Sequence, residues 1–130
     1  MRRPRNVFFL SAIFVVAGLM HFVIPDRYVG IMPRFIPHPL AMVYVSGVAE
    51  VLGGIGLLVP MVRRAAGIGL ILLLIAVFPA NVQMLANAVH SGSSFFYQAL
   101  LFMRLPLQPL AIVWVWRANN RGLAARSAKP

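Results

Sequence analysis

Six side chains able to move protons or hold hydrogen bonds stand inside otherwise apolar stretches: His21, Ser46, Glu50, Asn81, Arg104 and Gln108. Glu50 is the sharpest of them. It interrupts the apolar run from Leu40 to Val59, and the only other acid in the chain is Asp26. A charge at mid-bilayer is expensive unless it is paired or turned to the protein interior. Helical periodicity puts Ser46, Gly47, Gly53, Gly54 and Leu57 near the face of Glu50, and small residues let a second helix come close. Glu50 is therefore expected to point into a helix bundle. Arg104 and Gln108 are four residues apart and share a helix face.

A carboxylate, an imidazole and a guanidinium together can relay a proton or bind a polar head. They can equally fix helix register with no ligand at all. His21 alone reads as an acid–base group, a metal or haem ligand, or a histidine at the membrane interface. A bis-histidine haem needs two axial ligands, and His38 and His90 fall in connecting segments, so no haem is expected. The chain has no cysteine, which excludes iron–sulfur clusters, cysteine-bound zinc and thiol redox chemistry. No other metal site is expected. Phosphate-binding glycine loops, nucleophile elbows and zinc-protease motifs are absent. Two acids supply no carboxylate pair for glycoside hydrolysis.

The elements that must position these residues are apolar. Of 130 residues, 61% are hydrophobic and 11% charged, the profile of an all-α integral membrane protein. Apolar runs predict four transmembrane helices at about 6–24, 40–59, 65–88 and 95–117, with a polar, disordered tail over 118–130. The first run follows a basic start like a signal peptide, but it is long and lacks a small-x-small cleavage site. Pro25, Pro33, Pro37 and Pro39 break the first connection, which reads either as an interfacial cap over the bundle or as an ordinary loop with apolar anchors. Pro79 interrupts the third span, and Ser93 or Ser94 is placed to cap the fourth.

Short loops between four spans predict an up-down bundle. Nine of the twelve basic residues flank spans on the side that holds both termini, which puts those termini in the cytoplasm. The net charge of +10 is thus read as a topology signal and a contact with anionic lipid, not as a nucleic-acid surface. At 1.5 Å per residue, Glu50 lies about 15 Å below the outer surface, Arg104 about 13 Å and Gln108 about 20 Å. Asn81 lies about 10 Å and His21 about 5 Å from the same surface. The simplest network pairs Glu50 with Arg104, with Gln108, Asn81 and Ser46 completing the hydrogen bonds. Tyr44, Phe78 and Met84 are the expected apolar walls, and Trp114 and Trp116 an aromatic belt.

In order, several short patterns resemble the DoxX family of small bacterial membrane proteins. They are His21-Phe22 with Pro25, Ile31-Met32-Pro33, Tyr44-x-Ser46-Gly47-x-x-Glu50 and Gly53-Gly54-x-Gly56-Leu57-Leu58-x-Pro60. Arg63-Arg64-x-Ala66-Gly67, Phe78-Pro79-Ala80-Asn81 and Arg104-Leu105-Pro106-Leu107-Gln108 follow. The resemblance implies a four-helix protein of the bacterial cytoplasmic membrane, in a family associated with quinone-linked sulfur oxidation, quinol oxidase complexes and oxidative-stress complexes. It assigns no role to any residue.

The resulting expectation is a redox-associated subunit that binds a lipophilic molecule, a quinone among the candidates, at a polar intramembrane site. Any enzymatic role is at most that of an accessory subunit of a quinone-linked oxidoreductase. Two other readings stay open: a non-catalytic assembly partner or chaperone of a membrane complex, and a small-solute or proton transporter. The transporter reading needs a homo-oligomer, because four spans without paired broken helices are few for alternating access. The expected partners are the bilayer, the lipophile, and a homo-oligomer or larger membrane complex. The topology has a direct test. A cysteine at Ser91 should react with an impermeant reagent in intact cells, and one at Ala128 only after permeabilisation; reaction at Ala128 in intact cells would reverse the orientation.

Overall fold

The computed structural model describes residues 5–127, with side chains as far as Arg121. Among these residues all regular structure is helical: α1 Arg5–Val23, α2 Pro25–Gly30, α3 Pro39–Gly56, α4 Arg63–His90 and α5 Phe95–Ser127. Four of the helices, all but α2, are long and apolar enough to cross a membrane, which makes this a multi-pass membrane protein. Arg2, Arg3 and Lys129, which enter the topology count, lie outside the described residues.

Local chemistry sets the helix ends. Pro25 and Pro39 open α2 and α3 at first-turn positions, where the missing N–H has no helical partner to lose. His38, just before α3, sits at φ 50°, so the chain turns sharply into the helix. Ser94 Oγ accepts the backbone N–H of Tyr97 at 3.3 Å and caps α5, as the sequence predicts. Gly92 takes φ +66° in the turn between α4 and α5, where a side chain would strain the backbone. Helix α4 runs through Pro79, and α5 through Pro106 and Pro109.

The helices pack in a ring. Helix α1 lies along α3, α3 touches α4, α4 lies along α5, and α1 meets α5 only lightly; α3 and α5 do not touch. Residues near the start of α1 (Val7, Leu10), after the end of α3 (Leu57), early in α4 (Leu70) and late in α5 (Val115) meet in one buried cluster with Phe14. Most other large apolar side chains, such as Phe9, Leu52, Leu72 and Phe102, face outward. In a bilayer that surface is solvated by lipid tails, so cohesion must come from close packing and hydrogen bonds more than from apolar burial.

The tightest packing is between α1 and α3. A Cβ on Gly18 would stand 2.8 Å from the Gly47 carbonyl oxygen and 2.9 Å from the Val51 nitrogen. One on Gly47 would stand 2.7 Å from His21 Cβ. Further along, Ser11 Oγ donates to the Gly54 carbonyl at 2.6 Å, fastening the two helices across a buried seam.

Two boundaries depart from the sequence reading. Helix α3 ends at Gly56, where the chain tightens into turns before Arg63. Residues 118–127 are not a disordered tail, since α5 continues to Ser127; the last three residues of the expected tail lie outside the described residues. The reason is contact with α4. Asn119 is buried, its Nδ2 donates to the Arg64 carbonyl at 3.3 Å, and Ala118 packs on the core.

The glycine seam can be tested. Gly18→Ala pushes a methyl group into backbone that cannot move aside, and should lower stability in detergent by about 1–3 kcal/mol. Gly69→Ala meets nothing within 4 Å and should be neutral or slightly stabilising. Equal behaviour of the two variants in an unfolding titration would show that the seam is not tight.

Candidate functional site

The glycine contact places the first site residue. Because Gly47 has no side chain, the stem of His21 lies directly against α3, and Glu50 projects from the next turn of α3. His21 Nδ1 is 3.0 Å from the Ala17 carbonyl oxygen and 3.6 Å from Glu50 Oε2. The Ala17 carbonyl accepts the Nδ1–H and fixes the ring. The carboxylate contact is an ion pair whenever the imidazole is protonated. His21 is buried and Glu50 half-buried.

Helix α2 adds a residue that the sequence reading did not select. The Tyr28 ring stacks on His21 with centroids 4.0 Å apart and planes 19° from parallel. Burial raises its hydroxyl above the ordinary pKa, the Glu50 carboxylate adds to the rise, and Arg104 opposes it. The phenol therefore keeps its proton and is available as a donor. Its signal in the sequence was weak: one aromatic among several apolar residues in a proline-broken connection. Asn87 Nδ2 donates to the Gly30 carbonyl at 3.3 Å, tying the end of α2 to α4.

Across the bundle, α4 and α5 share a second network. Asn81 Nδ2 donates to Gln108 Oε1, and Gln108 Nε2 donates to the Leu74 carbonyl. That carbonyl neighbours the one on Ile75, which Pro79 leaves without its usual N–H partner. Gln108 is buried in the α4–α5 contact.

These groups border one cavity of about 370 Å³. Its polar lining is His21, Tyr28, Ser46, Glu50, Asn81, Arg104 and Gln108. Leu10, Phe14, Val43, Leu74, Leu107 and Trp114 are among the residues that form its apolar body. The volume lies within the range of small-molecule sites, about 300–1,000 Å³, and the composition matches them: apolar walls with a few convergent polar groups. Among the described residues no cluster of histidine and acid side chains could hold a metal ion.

Of the residues selected from sequence, six border this cavity: His21, Ser46, Glu50, Asn81, Arg104 and Gln108. Tyr44, Phe78 and Met84 do not. Tyr44 stacks on Phe22 at 5.5 Å on the outside of the α1–α3 pair, and Phe78 is 40% exposed on the outer face of α4. Met84 Sδ accepts from Arg104 Nη1 at 3.9 Å. The expected Glu50–Arg104 pair is corrected. Among the described residues the one ion pair is Glu50 with His21. Arg104 is on α5 and Glu50 on α3, and those helices stand on opposite sides of the ring, with the cavity between them.

The pairing predicts a coupled loss. His21→Ala and Glu50→Gln should each destabilise the protein, and the double variant should lose less than the sum by about 0.5–2 kcal/mol. Strict additivity in that double-mutant cycle would show that the two side chains do not interact.

The family described as Domain of unknown function (DUF8561) matches residues 10–119, a stretch that contains every residue of this site. No curated protein matches the chain. No solved structure matches it either.

Proposed function

The chain belongs to the DUF8561 family, and we propose that it is a membrane protein that binds a lipophilic small molecule with a polar head in the cavity between α1, α3, α4 and α5. The observation that carries this reading is the lining of the cavity. Acid, base, phenol, amides and guanidinium converge on a space that is otherwise apolar. A ligand with a carbonyl or hydroxyl head and a hydrocarbon body satisfies both kinds of lining, and a quinone is the leading candidate. Its carbonyls would accept hydrogen bonds from Arg104 and Tyr28. His21 and Glu50, 3.6 Å apart, form a pair that can exchange a proton with the head as its charge changes, each stabilised by the other's opposite charge. Reduction of such a head also needs electrons, which we propose come from a partner, in keeping with a role as a redox-associated subunit of a larger membrane complex.

The resemblance to the DoxX family supports the same reading and suggests the bacterial cytoplasmic membrane as its location. In that membrane we read the four spans as alternating up and down, with both termini in the cytoplasm and the Pro25–Pro39 segment as a cap on the opposite side. The basic residues near the start of α1, the α3–α4 turn and the end of α5 favour that orientation.

Thermal unfolding in detergent tests the binding. A short-chain ubiquinone analogue should raise the melting temperature, because a ligand bound only to the folded state stabilises it by mass action. Glu50→Gln and Tyr28→Phe should each reduce that rise while leaving the unliganded protein folded. Absence of any shift across a panel of quinones and other amphiphiles would refute the reading. A shift that both variants retain would move the ligand out of this cavity.

A further inference from the structure

A second, smaller cavity of about 150 Å³ lies at the other end of the bundle, between the start of α1 and the late part of α5. Asn6, Val7, Trp114, Arg117, Ala118 and Arg121 line it. Residues 114, 117, 118 and 121 fall on one face of α5, at spacings of three and four. The continuation of α5 as a helix beyond residue 117 is what sets Arg121 one turn above Arg117, beside Asn6 of α1. Val7 and Ala118 supply an apolar floor. Phe9 braces the indole of Trp114, with centroids 5.9 Å apart.

Among the described residues the charge at this end has no acidic counterpart beside it. Arg5, Arg63, Arg64, Arg117 and Arg121 all belong to it, and the two acids, Asp26 and Glu50, belong to the other end and the middle of the bundle. Arg63 is engaged with the Leu57 carbonyl at 2.7 Å. Among the described residues Arg117 and Arg121 have no acidic partner, and both are exposed beside the cavity they line. Two guanidiniums one turn apart can fork onto the oxygens of a single phosphate, and Asn6 adds a neutral donor. Phe8, Phe9 and Trp116 are exposed on the same stretches of α1 and α5, an apolar surface along which acyl chains would lie.

We propose that the α1–α5 cavity binds the phosphate of an anionic phospholipid, with Arg117 and Arg121 on the phosphate oxygens, Asn6 beside them and the acyl chains along α1 and α5. The site is separate from the one that binds the lipophile, and its occupancy does not depend on that reading. Its chemistry would suit a free phosphate as well. The lipid is favoured because the two arginines stand at the end of an apolar span, where headgroups are held at high local concentration.

The test uses the full chain in a neutral detergent. Phosphatidylglycerol should raise the melting temperature, while phosphatidylcholine and inorganic phosphate at equal concentration should not. The double variant R117Q/R121Q should bind phosphatidylglycerol about 30-fold more weakly, the effect of two arginines near an anionic headgroup. Arg117→Lys with Arg121→Lys keeps the charge but not the fork, and should retain more of the lipid response than R117Q/R121Q, which separates lost charge from lost folding. R5Q, at the same end but outside the cavity, should keep it as well. Equal stabilisation by phosphatidylcholine would overturn the proposal, as would an unchanged response in R117Q/R121Q. Equal stabilisation by inorganic phosphate would overturn the lipid as the source. An R5Q variant as impaired as R117Q/R121Q would reduce the effect to diffuse charge and overturn the site.

Discussion

The structure depends on the backbone-to-backbone approach of α1 and α3 at Gly18 and Gly47. Lipid tails are as apolar as leucine, so the bundle gains little by hiding apolar surface from its surroundings. What remains is contact distance, and a pair of facing glycines gives the shortest. The Ser11–Gly54 hydrogen bond extends the same seam by two turns. With α1 held so close, His21 has no freedom to sit anywhere but beside Glu50. The seam thereby turns a packing motif into a charge arrangement. A larger residue at position 47 would displace His21 before it disturbed any ligand.

The polar groups divide between the two sides of the ring. On the α1–α2–α3 side, His21, Tyr28 and Glu50 are held by stacking, by the Ala17 carbonyl and by electrostatic attraction. On the α4–α5 side, Asn81, Gln108 and the Leu74 carbonyl satisfy one another. Arg104 stands on this second side with sulfur, not an acid, as its hydrogen-bond partner. A cation in that position faces the cavity and gives its polar end a positive wall opposite the carboxylate. The buried Gln108 amide is tolerated in apolar surroundings because both its oxygen and its nitrogen find a partner.

The spans were legible because hydropathy and proline position act locally. So was the clustering of the six polar residues, since counting residues at 1.5 Å each gives height along a helix. Height does not give direction around the bundle, and that is why Arg104 was matched to Glu50. Residue counting gives the two similar heights, yet α3 and α5 are not neighbours. Tyr44 and Phe78 failed as walls for the same reason: their depth was right and their face was not. Tyr28 was hidden because a proline-rich connection gives no periodicity from which to infer a facing side chain. The continuation of α5 was hidden because Asn119 and Arg121 read as solvent-loving until their contact with α4 and α1 is known.

Trp114 borders both cavities, so its indole forms part of the partition between them. The only other tryptophan, Trp116, is exposed on the lipid-facing surface. One chromophore thus has the bundle interior on one side and the basic end on the other. Its emission responds to the polarity of both compartments, and filling either changes the solvation of the same ring. With Trp116 replaced by phenylalanine, the protein carries a single optical gauge at the boundary between its two cavities.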